Sequence, residues 1–191
     1  MANLTLIIPT KKEAESLPIF LKELENYNFN KLVVLQEEDI ETQKAIAKID
    51  KIDILVQKNP GYGNALKEGI EATKTEYCCI INADGSMNPK YLKLMLDKCK
   101  FNDLVFCSRY EEGGGSDDDD IVTFIGNKIF TLIGNLFFRL NLSDILYTYI
   151  IGKTSSFKSL TLKYNDFRIC VEIPIKAKKR KMKYTTLPSY E

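Results

Sequence analysis

Short, unbroken apolar runs alternate along this chain with stretches in which apolar residues recur every three or four positions, the pattern of buried strands separated by amphipathic helices. Leu4-Thr-Leu-Ile-Ile8 reads as a buried strand ended by Pro9, and a helix opening near Ser16 carries Phe20, Leu21 and Leu24 on one face. Further strands are predicted over 31–35, 52–56, 77–81 and 104–108, with helices over about 41–49, 64–72 and 89–98. The last of these helices places Leu92, Met95, Leu96 and Cys99 at helical spacing. Five alternations of strand and helix predict an α/β fold with a mostly parallel sheet and helices on both faces.

After Arg109 the pattern changes. Residues 111–120, Glu-Glu-Gly-Gly-Gly-Ser-Asp-Asp-Asp-Asp, read as a solvated acidic loop whose last aspartates favour the start of the next helix. From 121 to 140 the apolar positions 125, 129, 132, 133, 136 and 140 share one helical face, while Phe124, Phe130, Phe137 and Phe138 lie off it. That much apolar surface predicts a helix sandwiched between neighbours, or one whose aromatic side meets a membrane interface. The longest uncharged apolar stretch, Ile129 to Phe138, is short of the roughly 20 residues a spanning helix needs. In the tail, Lys176, Lys178, Lys179, Arg180, Lys181 and Lys183 crowd together. A solvated helix face is the plain reading of that cluster, and binding of anionic headgroups or a diphosphate is the other.

Composition narrows the classes. A chain of 191 residues, 45% hydrophobic and 28% charged, has the make-up of a single globular domain over 1–191, with no repeat or linker inside it. The net charge of +1 gives no general attraction to nucleic acid, so no nucleic-acid partner is expected. Five cysteines, without a C-x-x-C pair and mostly in apolar surroundings, read as reduced thiols of a cytoplasmic protein and not as a zinc or disulfide framework. Residues 1–9 enter a strand pattern without a basic region or cleavage pattern, so no signal peptide is expected. The absence of histidine excludes Ser-His-Asp and Cys-His nucleophilic sites and His-ligated metals built from this chain alone, which leaves the chemistry to carboxylates.

The apolar run 77–81 stops on Asn82, Asp84 and Ser86 at alternate positions, with Gly85 relaxing the backbone among them and Pro89 opening a helix. Turn and cap chemistry accounts for the same residue types locally. A carboxylate just beyond the carboxyl end of a strand is nevertheless where open α/β sheets bind ligands, which makes Asp84 the first candidate for holding a metal or substrate. A dinucleotide fingerprint is missing, because Pro9-Thr-Lys-Lys-Glu13 stands where its glycines would be. Gly61-Tyr-Gly63 precedes a helix, but Leu66 occupies the third glycine position, so a tight turn is a better reading than a phosphate cradle. Pro9, Glu13, the start of the third strand-helix unit and Asp84 all fall at carboxyl ends of strands and are expected to converge on one crevice.

Ile7-Ile-Pro-Thr-Lys-Lys-Glu-Ala-Glu-Ser-Leu17 resembles the opening I-P-x-x-N-E-x-x-x-L of family 2 glycosyltransferases, with Lys12 in place of the asparagine. Gly61-Tyr-Gly-Asn-Ala-Leu-Lys67, Asn82-Ala-Asp-Gly-Ser86, Cys107-Ser-Arg-Tyr-x-x-Gly-Gly114 and Asp144 follow in that family's order and spacing, so the resemblance covers nearly the whole chain. The branch it most resembles is that of dolichol-phosphate mannosyltransferases and related polyprenyl-phosphate glycosyltransferases. The resemblance implies a GT-A nucleotide-diphospho-sugar transferase fold, with 1–110 as the nucleotide-sugar half and 111–191 as the acceptor side. It implies an inverting hexosyltransferase of cell-envelope glycan synthesis, moving a sugar from a GDP- or UDP-sugar to a polyprenyl phosphate or glycan. The expected location is the cytoplasm, with peripheral contact to the cytoplasmic face of a membrane.

The residues follow from the same resemblance. Pro9, Thr10, Glu13, Gln36, Gly61, Gly63, Lys67 and Ala83 are implied as donor contacts. Asp84, with Asn82 and Ser86, is implied to hold Mg²⁺ or Mn²⁺. Catalytic roles fall to Asp84, to Asp144 orienting acceptor or metal, and to Arg109 binding an anionic acceptor or product. A lipid phosphate is already largely ionised near neutral pH and needs no strong base, so the missing histidine costs nothing. Two departures stand out. Asn82 replaces the first aspartate of the family's Asp-x-Asp, and a neutral carbonyl binds metal more weakly than a carboxylate. The second strand ends Val33-Val-Leu-Gln-Glu-Glu38 where the family has an aspartate that reads base or ribose, leaving Gln36 or Glu37 as substitutes. Both departures motivate an alternative, a degenerate domain that binds a nucleotide or partner without turnover. A nucleotidyltransferase is disfavoured by the missing glycine-rich, lysine-bearing loop after the first strand. Relatives commonly continue with basic residues and membrane segments.

Overall fold

The five apolar runs all become strands, and two more join them. A computed structural model describes residues 3–117 and 119–191. Its strands are β1 (Leu4–Pro9), β2 (Asn30–Leu35), β3 (Asp53–Val56), β4 (Tyr77–Ile80), β5 (Leu104–Ser108), β6 (Ile150–Lys153) and β7 (Tyr184–Pro188). They form one sheet in the order β3-β2-β1-β4-β6-β5-β7. β6 runs antiparallel to both of its neighbours, with Ile80 opposite Ile150 and Leu104 opposite Gly152, and every other pairing is parallel. The sheet is therefore mostly parallel, as the alternating pattern predicts. β6 and β7 were not among the predicted strands: β6 is four residues long, and β7 follows directly on the basic cluster, so neither carries a long apolar run.

The helices are α1 (Ser16–Glu23), α2 (Ile40–Ile46), α3 (Tyr62–Ala72), α4 (Leu92–Cys99), α5 (Ile121–Phe138), α6 (Thr154–Ser159) and α7 (Ile169–Lys179). α2 stops three residues before the predicted end, α3 starts two residues early at Tyr62, and the turn at Pro89 is a short 3₁₀ segment before α4. Two apolar layers flank the sheet. One gathers Leu17, Phe20, Leu92 and Met95 over Ile8, Val33 and Cys79, and the other gathers Leu66, Ile70, Phe157 and Ile173 over Ile7, Val34 and Ile80. Strand residues alternate between the two layers because successive side chains point to opposite faces. All five cysteines are buried and unpaired.

α5 departs from the expected sandwich. Its inward positions are small or polar: Asn127 donates to the Tyr110 hydroxyl at 2.8 Å, Thr131 accepts the Ile145 N–H, Gly134 lies against Ile145, and Asn135 bonds both backbone groups of Leu142. The apolar side chains point outward, with Leu136 71% and Phe137 72% exposed. A helix of inverted polarity is read wrongly by a rule that turns the apolar stripe toward the core. As a helix it also continues across Lys128 to 18 residues at a mean hydropathy of 1.5, long and apolar enough by length and composition to cross a membrane. Its bonds to Tyr110, Leu142 and Ile145 hold it against the domain along its length.

The acidic loop is not simply solvated. Asp120 caps α5 by accepting the Thr123 N–H at 2.7 Å, Asp117 accepts from the Tyr190 hydroxyl, and Asp119 from that of Tyr110, while Asp118 lies outside the described residues. The basic cluster sits at the amino end of β7, beside Asp103 at the start of β5. That is the end of the sheet opposite the strand termini that carry Pro9 and Asn82, so the diphosphate reading of the cluster is set aside. Lys176 is spent on Glu172 at 2.7 Å, and Lys178, Lys179, Arg180, Lys181 and Lys183 are exposed.

Candidate functional site

The strand order turns back between β1 and β4, since the chain builds outward to β3 and then returns to the far side of β1. A crevice outside the carboxyl ends of such a pair is the usual ligand position in open α/β sheets. A cavity of about 520 Å³ opens there, over Pro9 and Thr10 at the end of β1, Gln36 after β2, Gln57 after β3 and Asn82-Ala83-Asp84 after β4. Glu13 and Gly61 also line it. The structure thus brings together Pro9, Thr10, Glu13, Gln36, Gly61, Asn82, Ala83 and Asp84. A second cavity of about 310 Å³ adjoins the first, with Tyr62, Asn82, Asp84 and Phe167 common to both, and Ser86 and Arg109 on its own wall.

The loops hold these residues by local bonds. Lys12 lies in the left-handed region at φ 60°, where asparagine is more often found than lysine, and its N–H donates to Asp39 at 2.6 Å. The Glu13 carboxylate accepts from Ser16 at the start of α1, and its N–H donates to Thr42 at 3.0 Å. Asp84 forms a tight turn, its Oδ1 accepting the Ser86 N–H at 3.0 Å and hydroxyl at 2.8 Å. Asp84 itself remains exposed.

Gly61 and Gly63 serve close approach. A Cβ at Gly61, which sits at φ +113°, would lie 2.3 Å from the Asn165 carbonyl oxygen, and one at Gly63 would lie 2.5 Å from that of Tyr164. The absence of both Cβ atoms lets the Gly63 N–H donate to Asn165 at 2.9 Å. Gly63 is buried under that loop, and Lys67 reaches Asn165 and the Lys163 carbonyl, so neither lines the first cavity.

Arg109 and Asp144 form one buried unit. Arg109 donates to Asp144 through Nε at 2.8 Å and Nη2 at 3.3 Å, and it also meets Glu191 at 3.2 Å and Asp119 at 3.6 Å. Its guanidinium lies over the rings of Tyr110 and Tyr147. Burial opposes its charge, but the bonds and charge of Asp144, with Glu191 and Tyr110, raise its pKa further and keep it a cation. Asp144 stands behind Arg109, outside the lining of the second cavity.

The first cavity carries more negative than positive charge. Glu13, Asp84 and Asp166 line it against Lys11, and Asp166 is held down at about 2 by Arg168, which bonds it at 2.7 Å. Among the described residues no group of three or more His, Cys, Asp or Glu side chains is placed to hold a metal. One exposed carboxylate with an amide and a hydroxyl nearby is a donor set of hard oxygens. It suits an ion such as Mg²⁺, which takes one or two carboxylates and completes its shell with substrate phosphates and water.

Tyr62, Asp166, Phe167, Gln57 and Glu191 line these cavities without having been marked in the sequence. A helix start, a tail and the end of a short strand carry no periodicity that distinguishes a lining residue.

Residues 5–161 match the family described as Glycosyl transferase family 2. Glycosyltransferase AglJ of Haloferax volcanii is 25% identical over 96% of this chain and 61% of its own length. A Mycobacterium tuberculosis protein, the uncharacterized glycosyltransferase Rv0539, is 34% identical over 53% of this chain and 46% of its own. The chain therefore spans roughly half to three fifths of these relatives. Among solved structures, mannosyl-3-phosphoglycerate synthase from Rubrobacter xylanophilus overlays with a TM-score of 0.69 at 17% identity, covering 98% of this chain and 66% of that one. S. aureus TarS in complex with UDP-GlcNAc overlays at 0.60 and 13% identity, covering 98% and 59%. At such identities the likeness is one of fold, and the fold is the GT-A sheet expected from the sequence.

Proposed function

Since the chain belongs to glycosyl transferase family 2, we propose that it transfers a hexosyl group from a GDP- or UDP-sugar to a polyprenyl phosphate or glycan. The observation that carries this reading is the pair of adjoining cavities sharing Asp84, one large enough for a nucleotide and one beside it for an acceptor. TarS, which shares the fold, holds UDP-GlcNAc, and this supports a nucleotide-sugar donor.

In this reading the first cavity takes the donor. Pro9, Thr10 and Gln36 flank the nucleoside, Gln57 and Gly61 the opposite wall, and Ala83-Asp84 the diphosphate end. Glu13 fixes the start of α1 and so the edge of the cavity, while Gly63 and Lys67 act indirectly by holding the 163–165 loop. Asp84, with the Asn82 carbonyl and Ser86 hydroxyl, would hold Mg²⁺ or Mn²⁺, whose positive charge would offset the negative charge of the departing nucleoside diphosphate. The excess of carboxylates over cations in the cavity favours an anionic diphosphate only with such an ion bound.

The second cavity takes the acceptor nucleophile, on the side of the sugar opposite the departing nucleoside diphosphate, so that direct displacement inverts the anomeric centre. Arg109 faces it as a fixed cation, oriented by Asp144, and attracts a phosphate. Residues 1–110 supply the first cavity apart from Asp166 and Phe167, and 111–191 contribute the far wall of the second, in keeping with a donor half and an acceptor half. The outward apolar side of α5 supports contact with a membrane surface, where a lipid-linked acceptor resides.

The test is thermal unfolding with GDP- and UDP-sugars, with and without Mn²⁺, followed by nucleoside diphosphate release on adding a prenyl phosphate. A ligand at 100 times its dissociation constant stabilises the folded state by roughly 2.7 kcal/mol. A metal-dependent shift lost in Asp84→Ala, together with turnover, is the expected result. A shift without turnover under any acceptor would favour the non-catalytic alternative that Asn82 motivates, and no shift would sink the donor site.

A further inference from the structure

An exposed phenylalanine whose ring is stacked and whose loop is anchored is a feature that stability alone does not explain. Phe167 is 72% exposed, yet its ring stacks on Tyr62 with centroids 4.7 Å apart and planes 18° from parallel. Tyr62 is fixed in turn by its hydroxyl, 2.8 Å from that of Thr148.

The loop that carries Phe167 is anchored from three sides. The Glu172 carboxylate, in the first turn of α7, accepts the backbone N–H groups of Lys163 at 2.8 Å and Tyr164 at 3.0 Å. Gly63 donates to the Asn165 carbonyl, and only glycine at 61 and 63 leaves room for that approach. Lys67 bonds the Asn165 side chain. Two helices, α3 and α7, are thus committed to one short loop whose exposed product is an aromatic face.

That face stands at a particular place. Phe167, Tyr62, Asn82 and Asp84 are the residues common to both cavities, so the ring borders the junction between them. If the first cavity holds the donor and the second the acceptor, the transferred sugar occupies this junction. One face of a pyranose presents C–H groups, which pair with the electron-rich face of an aromatic ring. Phe167 also lies beyond residue 161, where the family match ends, so its role is not one carried over from that match.

We propose that Phe167, backed by Tyr62, is the platform on which the donor's glycosyl group lies. The inference rests on the donor-site reading above. It predicts that the ring contributes to binding of the sugar and not of the nucleotide.

The experiment compares UDP with UDP-GlcNAc and GDP with GDP-mannose, by calorimetric titration of the full chain in Mn²⁺. Phe167→Ala should weaken the nucleotide sugar that the wild type binds by about tenfold, roughly the worth of one aromatic contact, and leave the matching diphosphate within about twofold. Phe167→Leu, which keeps apolar bulk but has no ring face, should behave like Phe167→Ala, and Phe167→Trp should keep wild-type affinity. Equal losses for sugar and diphosphate, no loss for either, or full affinity in Phe167→Leu would overturn the platform. If the wild type binds none of the four ligands, the donor-site reading itself has failed. Folding is not at stake in these variants, because the substituted side chain is mostly in water.

Discussion

Asp144 gives both carboxylate oxygens to the Arg109 guanidinium in a setting where its own side chain is wholly buried. Removing one member of a buried pair leaves the other charge poorly compensated, and Asp144→Ala should destabilise the protein by roughly 3 kcal/mol, read from the urea midpoint. Glu191 and Asp119 remain near Arg109 and limit the loss. Asn82→Asp should have the opposite character, adding a second carboxylate beside Asp84 and tightening Mn²⁺ by about tenfold, measured by titration with nucleotide present. Asp84 was legible because an apolar strand ends a few residues before it. Phe167 and Asp166 were not, because their place at the crevice depends on a loop brought across by two missing Cβ atoms, a tertiary fact with no local period.

At the scale of elements, α5 is where pattern and structure part. Its apolar positions were readable as helical, but whether they face inward depends on what they meet, and the inward face is built from Asn127, Thr131, Gly134 and Asn135. Replacing Leu136 and Phe137 by glutamate should abolish co-sedimentation with anionic phospholipid vesicles and change stability by no more than about 0.5 kcal/mol per site, since both side chains are in water. Unchanged sedimentation would exclude α5 as the membrane contact. Glu172, at the start of α7, ties stability to pH. Burial pushes its carboxyl up, but Lys176 and the Tyr164 and Lys163 N–H groups outweigh that and hold it below the usual range. A depressed carboxylate stabilises fully above its unfolded value of roughly 4.3 and loses that contribution as pH falls through the lower folded value. Glu172→Gln should therefore be less stable than the wild type at pH 7 and approach it at pH 3, as urea midpoints at the two pH values would show.

Over the whole molecule, burial makes the thiols inert. It raises Cys78, Cys99, Cys107 and Cys170 to about 12 and Cys79 well above its ordinary value. A thiolate reagent at pH 8 should label none of the five in the folded protein and all five in guanidinium, as intact-mass analysis would show. The order of the sheet also sets a schedule for its assembly. β3, β2, β1 and β4 can pair as soon as they are made, but β5 has no neighbour until β6 arrives to bridge it to β4. During synthesis at roughly 5–20 residues per second, the outer edge of β4 stays open for on the order of several seconds. The nascent chain thus carries an unpaired, apolar strand edge through that interval, and it is then that a holding chaperone has most to protect.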